Sequence, residues 1–261
     1  KLFMRGRNLE TDDRYRAPAL DKGLDILELL ASVDGGLSQA EIAKYLDRSP
    51  NEFYRMLDRL VKRGYVTKLE GDRYSLTLKL FGLAHLHAPV RRLASFATPF
   101  MRELADRSKQ ANQLAVFDRG SVVVIAQQEA PDYWGISIRV GSHISLFDTG
   151  SGHVLLAFRT PEERKMMIAE YVKDGESGNL DESFYERLDQ IRERGYEMMP
   201  SAQVAGVYNL SAPILGPDGS CIAALTCPYV TLVNSTFAPD ITQTISLLQK
   251  TVKDLSKLRS E

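Results

Sequence analysis

The run Ser49-Pro50-Asn51-Glu52-Phe53-Tyr54-Arg55-Met56-Leu57-Asp58-Arg59 carries polar side chains suited to reading a nucleic acid. Arg can grip a guanine edge with two donors, Asn can pair with adenine, and Glu can accept from a cytosine amino group. Arg also meets phosphate. Asn51, Glu52, Tyr54, Arg55 and Arg59 are therefore candidate contacts to double-stranded DNA, with Ser49 opening the segment, Gln39 upstream and Arg73 downstream. Two plainer readings stand beside this one. Scattered Arg and Lys are commonly the solvated face of an ordinary helix, and Glu52 is equally suited to capping that helix.

Little in the remainder of the chain is arranged to catalyse. No serine sits in a nucleophile-elbow pattern, and there is no phosphate-loop spacing and no paired metal motif. No catalytic residue, cofactor or metal is expected. His85 and His87 are two apart and face different ways on a helix, so they cannot share an ion. His143 and His153 are isolated and read as structural, hydrogen-bonded residues. Cys221 and Cys227, six apart on an expected strand, would share a face roughly 20 Å apart, too far for a disulfide. Cys227 reads as a small buried hydrophobe, or else as part of a pocket wall.

The elements that must position the DNA-reading candidates are plainly punctuated. Ser49 is an expected N-cap, Pro50 suits the first helical position, and Glu52 completes a capping box. Phe53, Leu57, Leu60 and Val61 then share one face, and Gly64 stops the helix. Upstream, Ser38-Gln39-Ala40-Glu41 opens a second helix with Ile42, Ala43 and Leu46 inside. Only Asp47-Arg48-Ser49 separates the two, so they must cross steeply as a helix-turn-helix. Residues 65–69 and 74–78 form an expected hairpin around Glu70-Gly71-Asp72-Arg73, and a helix over 21–33 completes the trihelical core. This is a winged helix, whose second helix enters the major groove. Residues 21–47 hold two Lys/Arg against six Asp/Glu, and residues 48–73 hold seven against four, so positive charge gathers where phosphate contacts would be wanted.

Length and composition set the frame. At 261 residues, two domains are expected. A formal net charge of −1 gives no bulk affinity for polyanions. Two cysteines suggest a reducing, cytoplasmic compartment rather than a disulfide framework, and no apolar run approaches a membrane span. Residues 1–16 contain Arg5, Arg7, Arg14 and Arg16 without an apolar core, which excludes a signal peptide. They read as a flexible arm, either disordered or touching DNA. A winged helix over 17–78 is followed by a linker helix over 79–94, whose apolar Leu80, Phe81, Leu83 and Leu86 need a cover. A second subunit is the favoured cover, since such readers bind paired half-sites as dimers.

From 95 to 261 the pattern changes to helices before, between and after strand pairs. A helix over 95–108, a hairpin over 113–128, and a strand with Trp134, Ile136, Ile138 and Val140 on one face come first. Helices start at Gly150, Thr160 and Asp181. Two long strands, 209–215 and 220–230, precede a final helix from Pro239. The fold class is α+β: an antiparallel sheet covered by helices. The free N–H groups of Gly150 and Ser151 would seat a carboxylate or carbonyl. Trp134 and Ile136 would supply an apolar wall, and Asn209 and Thr226 aimed polar contacts. Against this, Trp134 suits a core, Asn209 could satisfy local backbone, and Gly150-Ser151-Gly152 could serve close packing alone.

The order of parts resembles the IclR family of bacterial transcriptional regulators. The resemblance rests on Leu37–Ala43, Arg55–Leu60 and Gly64-Tyr65-Val66 in the first part. In the second it rests on Gly150–Phe158, with His153 where the family has a basic residue, on Ala205–Ile214 and on Gly219–Leu225. It implies a GAF-like effector-binding domain over 95–261, joined to DNA-binding heads in a homodimer or dimer of dimers. It also implies a repressor of a catabolic operon, controlled by a small-molecule metabolite. Carried across by position, the effector site would comprise Trp134, Ile136, Gly150, Ser151, Met199, Asn209 and Thr226. Met199 stands where some relatives place a carboxylate. The alternative is a DNA-binding oligomer whose second domain takes no ligand.

Overall fold

A computed structural model describes residues 17–86, 88–132, 135–173, 180–232 and 238–258. The chain divides into two compact units, Lys1–Ala88 and Pro89–Glu261. The division falls inside the 79–94 segment expected to join them.

The first unit contains helices α1 (Pro18–Ala31), α2 (Gln39–Tyr45), α3 (Pro50–Lys62) and α4 (Lys79–Leu86), with strands β1 (Leu37–Ser38), β2 (Val66–Leu69) and β3 (Arg73–Leu76). Ile26, Leu29, Ile42, Phe53, Leu57 and Val66 are buried together beneath α3. Each such side chain contributes roughly 1.5–3 kcal/mol by leaving water. At the start of α2 the Ser38 amide donates to Glu41 Oε2 at 2.8 Å and the Glu41 amide donates to Ser38 Oγ at 3.3 Å. The α2–α3 turn closes with the Arg48 amide on Ala43 O at 3.0 Å. The hairpin pairs Val66 with Leu76 and Leu69 with Arg73. It is shorter than expected: β3 ends at Leu76, beyond which the Thr77 amide donates to Tyr65 O at 3.0 Å and the Thr77 hydroxyl to Gly64 O at 2.6 Å. Strand β1 was not foreseen. Two residues cannot show a period, and its pairing of Leu37 with Tyr74 is fixed by β3.

The second unit is a six-stranded antiparallel sheet in the order β6-β5-β4-β9-β8-β7. The strands are β4 (Asn112–Asp118), β5 (Ser121–Gln128), β6 (His143–Ile144), β7 (Glu197–Pro200), β8 (Tyr208–Leu215) and β9 (Cys221–Tyr229). Helices α5 (Ala88–Ser108) and α9 (Ile241–Leu258) share a buried core with one face, through Met101, Leu104, Leu248 and Leu255 against Leu210, Leu225 and Cys227. On the other face, helices α6 (Gly150–Ala157), α7 (Pro161–Lys173) and α8 (Glu182–Arg194) pack Val154, Leu155, Tyr171 and Leu188 near Ala115, Val122 and Ala224. Alternation along the strands divides the two cores: in β8, Leu210, Ala212 and Ile214 belong to the first, while Ser211 turns toward α6.

Three expectations change. The helix expected from Ser95 begins at Ala88, with Pro89 in its first turn where a missing N–H is harmless, and it continues through Pro99. The strand expected over 134–140 is absent from its described part, 135–140. The edge of β5 is occupied instead by residues just beyond: the Gly141 amide donates to Val124 O at 2.7 Å, and the Val124 amide to Ser142 O at 3.0 Å. Cys221 and Cys227 do not share a face. A register shift at Ile214/Leu215 places an extra residue in β9, so Cys221 joins the α6 core and Cys227 the α5–α9 core. Both thiols are free, and burial pushes each up to about 12. They are small hydrophobes.

Helix α6 is closely enclosed at its start, by the sheet at Gly150 and by the loop before it at Gly152. A Cβ on Gly152 would lie 2.2 Å from Leu146 O, and one on Gly150 would lie 2.5 Å from Ser211 Oγ. The first obstacle is backbone and cannot rotate away. Gly152→Ala is expected to destabilise the second unit by at least about 1–3 kcal/mol, read by denaturant unfolding. An unchanged midpoint would show that the approach is looser than described.

Candidate functional site

In the first unit the polar candidates separate into two groups. Glu52 is held from several sides: Lys22 Nζ lies 2.7 Å from Oε2, and the Ser49 amide and hydroxyl donate to Oε1 at 3.3 and 3.1 Å. These bonds, Lys22 first, keep its carboxyl below the usual range. Arg73 donates to Gly36 O at 2.7 Å and pairs with Glu41 at 3.2 Å, tying the wing to the start of α2. Gln39 Nε2 donates to Pro50 O at 2.8 Å and braces the turn. Glu52, Arg73, Gln39 and Ser49 thus build the helix-turn-helix. Asn51, Tyr54, Arg55 and Arg59 are exposed on α3. Among the described residues, the side chains of Asn51, Arg55 and Arg59 have no hydrogen-bond or ion-pair partner, so their donors remain available to a ligand as large as a duplex.

In the second unit the expected effector residues gather in part. Trp134 lies outside the described residues. Ile136 is half-buried on the irregular segment after β5. Gly150 and Ser151 are buried at the start of α6, whose N-cap Thr149 accepts from the Gly152 amide at 3.1 Å. Ser151 Oγ meets Thr226 Oγ1 at 2.8 Å, and Ser211 Oγ meets the same atom at 2.7 Å. Met199 and Asn209 face each other across β7 and β8, half-buried, one pair further along the same side.

Register reveals polar neighbours of these residues that sequence reasoning missed. Glu197 pairs with Ser211, Ser211 with Thr226, Thr226 with Gln113, and Gln113 with Gln127. A file of polar side chains therefore crosses five strands beneath α6. Single-strand alternation could not have shown it, because the file exists only once the strands are ordered.

At one end of the file Glu197 is fully buried. Its Oε2 accepts from Arg187 Nε at 2.8 Å and lies 3.1 Å from His153 Nδ1; its Oε1 accepts from Arg194 and from the Met198 amide at 2.7 Å. His153 Nε2 in turn lies 2.6 Å from Phe147 O. Burial alone would raise this carboxyl, but the His153 and Arg187 hydrogen bonds and the Arg187 charge outweigh it and hold Glu197 at about 2. His153, expected to be a structural, hydrogen-bonded residue, is one, and it belongs to the set of donors around the buried Glu197. A cavity of about 570 Å3 lined by Phe147, His153, Phe184, Arg187 and Arg194 opens beside it and includes none of the seven expected effector residues.

A head presenting unpaired polar side chains on the second helix of a helix-turn-helix, followed by a helix-covered antiparallel sheet, defines a DNA-binding regulator with an appended domain. Residues 19–70 match the IclR helix-turn-helix domain, and residues 87–257 match the C-terminal domain described as bacterial transcriptional regulator IclR. The chain belongs to the IclR family of bacterial transcriptional regulators. It is 32% identical over 196 residues to the HTH-type transcriptional regulator KdgR of Escherichia coli K12, covering 74% of each. It is 28% identical over 251 residues to the HTH-type transcriptional repressor AllR of Salmonella typhimurium, covering 92% of this chain and 89% of that one. An IclR homolog from Microbacterium hydrocarbonoxydans, solved with 4-hydroxybenzoate, shares the fold with a TM-score of 0.74 at 20% identity, over 92% of this chain and 98% of that one. The family is one of transcriptional regulators, not enzymes. No described helix is long and apolar enough to cross a membrane.

Because Glu197 titrates near 2 when folded against 4.5 ordinarily, its pairing stabilises fully above pH 4.5 and is lost as pH falls toward 2. The loss amounts to about 3 kcal/mol. Glu197→Gln is expected to lower stability at pH 7 and to flatten this acid limb, measured by urea unfolding from pH 7 to 2.5. An acid limb identical to wild type would remove Glu197 as its cause.

Proposed function

We propose that this protein is a repressor of a catabolic operon that binds operator DNA through α3 and is controlled by a small-molecule metabolite in its second domain. The observation carrying the DNA half is the division of labour on α3: capping and bracing are done by Ser49, Glu52 and Gln39, leaving Asn51, Tyr54, Arg55 and Arg59 to the groove. Glu52 is withdrawn from the reading set, since its carboxylate is already bonded. Arg73 is likewise a brace, with Nε on Gly35 O, Nη2 on Gly36 O and Nη1 beside Glu41.

The working arrangement is a head over 17–78, a linker over 79–94 and a GAF-like effector domain over 95–261, acting in the cytoplasm as a homodimer or dimer of dimers. Residues 1–16, expected to be an arm, lie outside the described residues. Exposed Leu83 and Leu86 on α4, the latter 72% exposed, support a second copy as their cover. The KdgR and AllR names support regulation and repression, and the 4-hydroxybenzoate held by the Microbacterium homolog supports a small acid as effector. Ligand would act by favouring one arrangement of the assembly over another.

The runner-up, a DNA-binding oligomer without a ligand, draws support from one observation: the Ser151, Thr226 and Ser211 hydroxyls satisfy one another and are almost completely buried. Thermal shift against a panel of small acids, aromatics and sugars separates the two, since only a sensor gains stability from a ligand.

Asn51→Ala and Arg55→Ala are each expected to weaken binding to genomic fragments selected by the wild-type chain by tenfold or more, with unchanged melting. Gel-shift affinities equal to wild type for both would refute the assignment of α3. Asn209→Leu, at a half-buried position, is expected to leave operator affinity intact while abolishing its response to an effector found in the panel; a normal response would place the chamber elsewhere.

A further inference from the structure

The polar file beneath α6 contains one group that its neighbours leave unsatisfied. Gln113 is 3% exposed, yet its Oε1 accepts no hydrogen bond from any described group. Its place on the file is set by register: it pairs with Thr226 on β9 and Gln127 on β5, and its neighbour Leu114 belongs to the opposite core. Its side chain therefore lies on the α6 side, where Thr226 already meets Ser151 and Ser211. A buried acceptor without a partner costs on the order of 1–3 kcal/mol, and a folded chain keeps such a group when something else completes it. The start of α6 supplies the opposite deficit. The first N–H groups of a helix have no intrahelical acceptor; the Thr149 hydroxyl takes the Gly152 amide, and no described group accepts from the Gly150 or Ser151 amide.

We propose that Gln113 selects the ligand of this chamber, and that the ligand is a small acid carrying a hydroxyl group. Its carboxylate lies on the Gly150 and Ser151 amides, and its hydroxyl donates to Gln113 Oε1. A hydroxyl both donates and accepts, so it suits this amide whichever end is presented. No Lys or Arg stands on the file, which disfavours multiply charged ligands and leaves the helix start as the seat for one negative charge. The proposal rests on reading the α6 side of the sheet as the effector chamber.

The test uses the full chain and matched pairs of probes: glycolate with acetate, lactate with propionate, and 3-hydroxybutyrate with butyrate. Titration calorimetry should show the hydroxylated member of at least one pair binding tenfold or more tighter. Gln113→Leu should bring that ratio to near one. Without ligand, Gln113→Leu should melt no lower than wild type, because it removes an unpaired acceptor and keeps the volume. Gln113→Met provides the same comparison should Leu disturb the strand. Equal binding within every pair, or a preference that survives both variants, overturns the role of Gln113 and leaves the chamber standing. A melting point several degrees lower in both variants would make Gln113 a structural residue and also overturns it. Failure of every probe to bind removes the chamber reading and this proposal with it.

Discussion

Helix α6 begins where a Cβ on its first residue would collide with the sheet and one on its third with the loop before it. With Ser211 Oγ of β8 and Leu146 O of the preceding loop standing where side chains would go, Gly150 and Gly152 fit the start of a helix all eight of whose residues are buried. A helix so deeply buried cannot leave polar groups unpaired without cost. Much of what surrounds it follows from that demand. Thr149 caps it, Thr226 answers Ser151, Ser211 answers Thr226, and Glu197 answers His153. The close-packing reading of the glycines and the ligand reading are therefore not rivals: the approach that excludes Cβ atoms also brings helix amides and strand side chains to one small volume.

Charge is handled differently in the two units. In the second, a fully buried carboxylate is accommodated by four donors, three of them from side chains that can carry positive charge. Such a cluster is costly to break and need not add stability over an apolar substitute. Its evident structural effect is geometrical, joining β7 to α6 and α8. In the head, ion pairs lie at the surface, where each contributes little. Glu52 is there bonded to Lys22, and Arg73 to Glu41, and those bonds set where the start of α3 and the wing stand.

The head was legible because its signals are local. Capping boxes at Ser38 and Ser49, the proline at position 50 and the stop at Gly64 each act within a turn of helix, and the expected spans of α2 and α3 agree with the structure to within a residue. The second unit was legible in its long strands and capped helices, and less so at its edge. Periodic apolar residues over 134–140 suggested a strand, but pairing is decided by which segment reaches the free edge of β5, and residues 141–144 reach it. The faces of Cys221 and Cys227 were misjudged for a related reason. One bulge inverts everything beyond it, and a bulge leaves no mark in a run such as Cys221-Ile222-Ala223-Ala224.

Site residues followed the same rule. Ser151 and Thr226, grouped in one expected site, do meet, 75 positions apart. Gln113 was passed over because a glutamine in a strand is ordinarily solvent-facing, and only strand order shows that this one is enclosed. The residues assigned to DNA divide on a related ground. Type says what a side chain can bond, whereas geometry says what it already bonds. The carboxylate of Glu52 is already spoken for by Lys22 and Ser49, while Arg55 has nothing of its own chain to hold. In a chain whose formal net charge is −1, that difference in commitment, more than the number of arginines, tells which side chains of α3 remain available to a ligand.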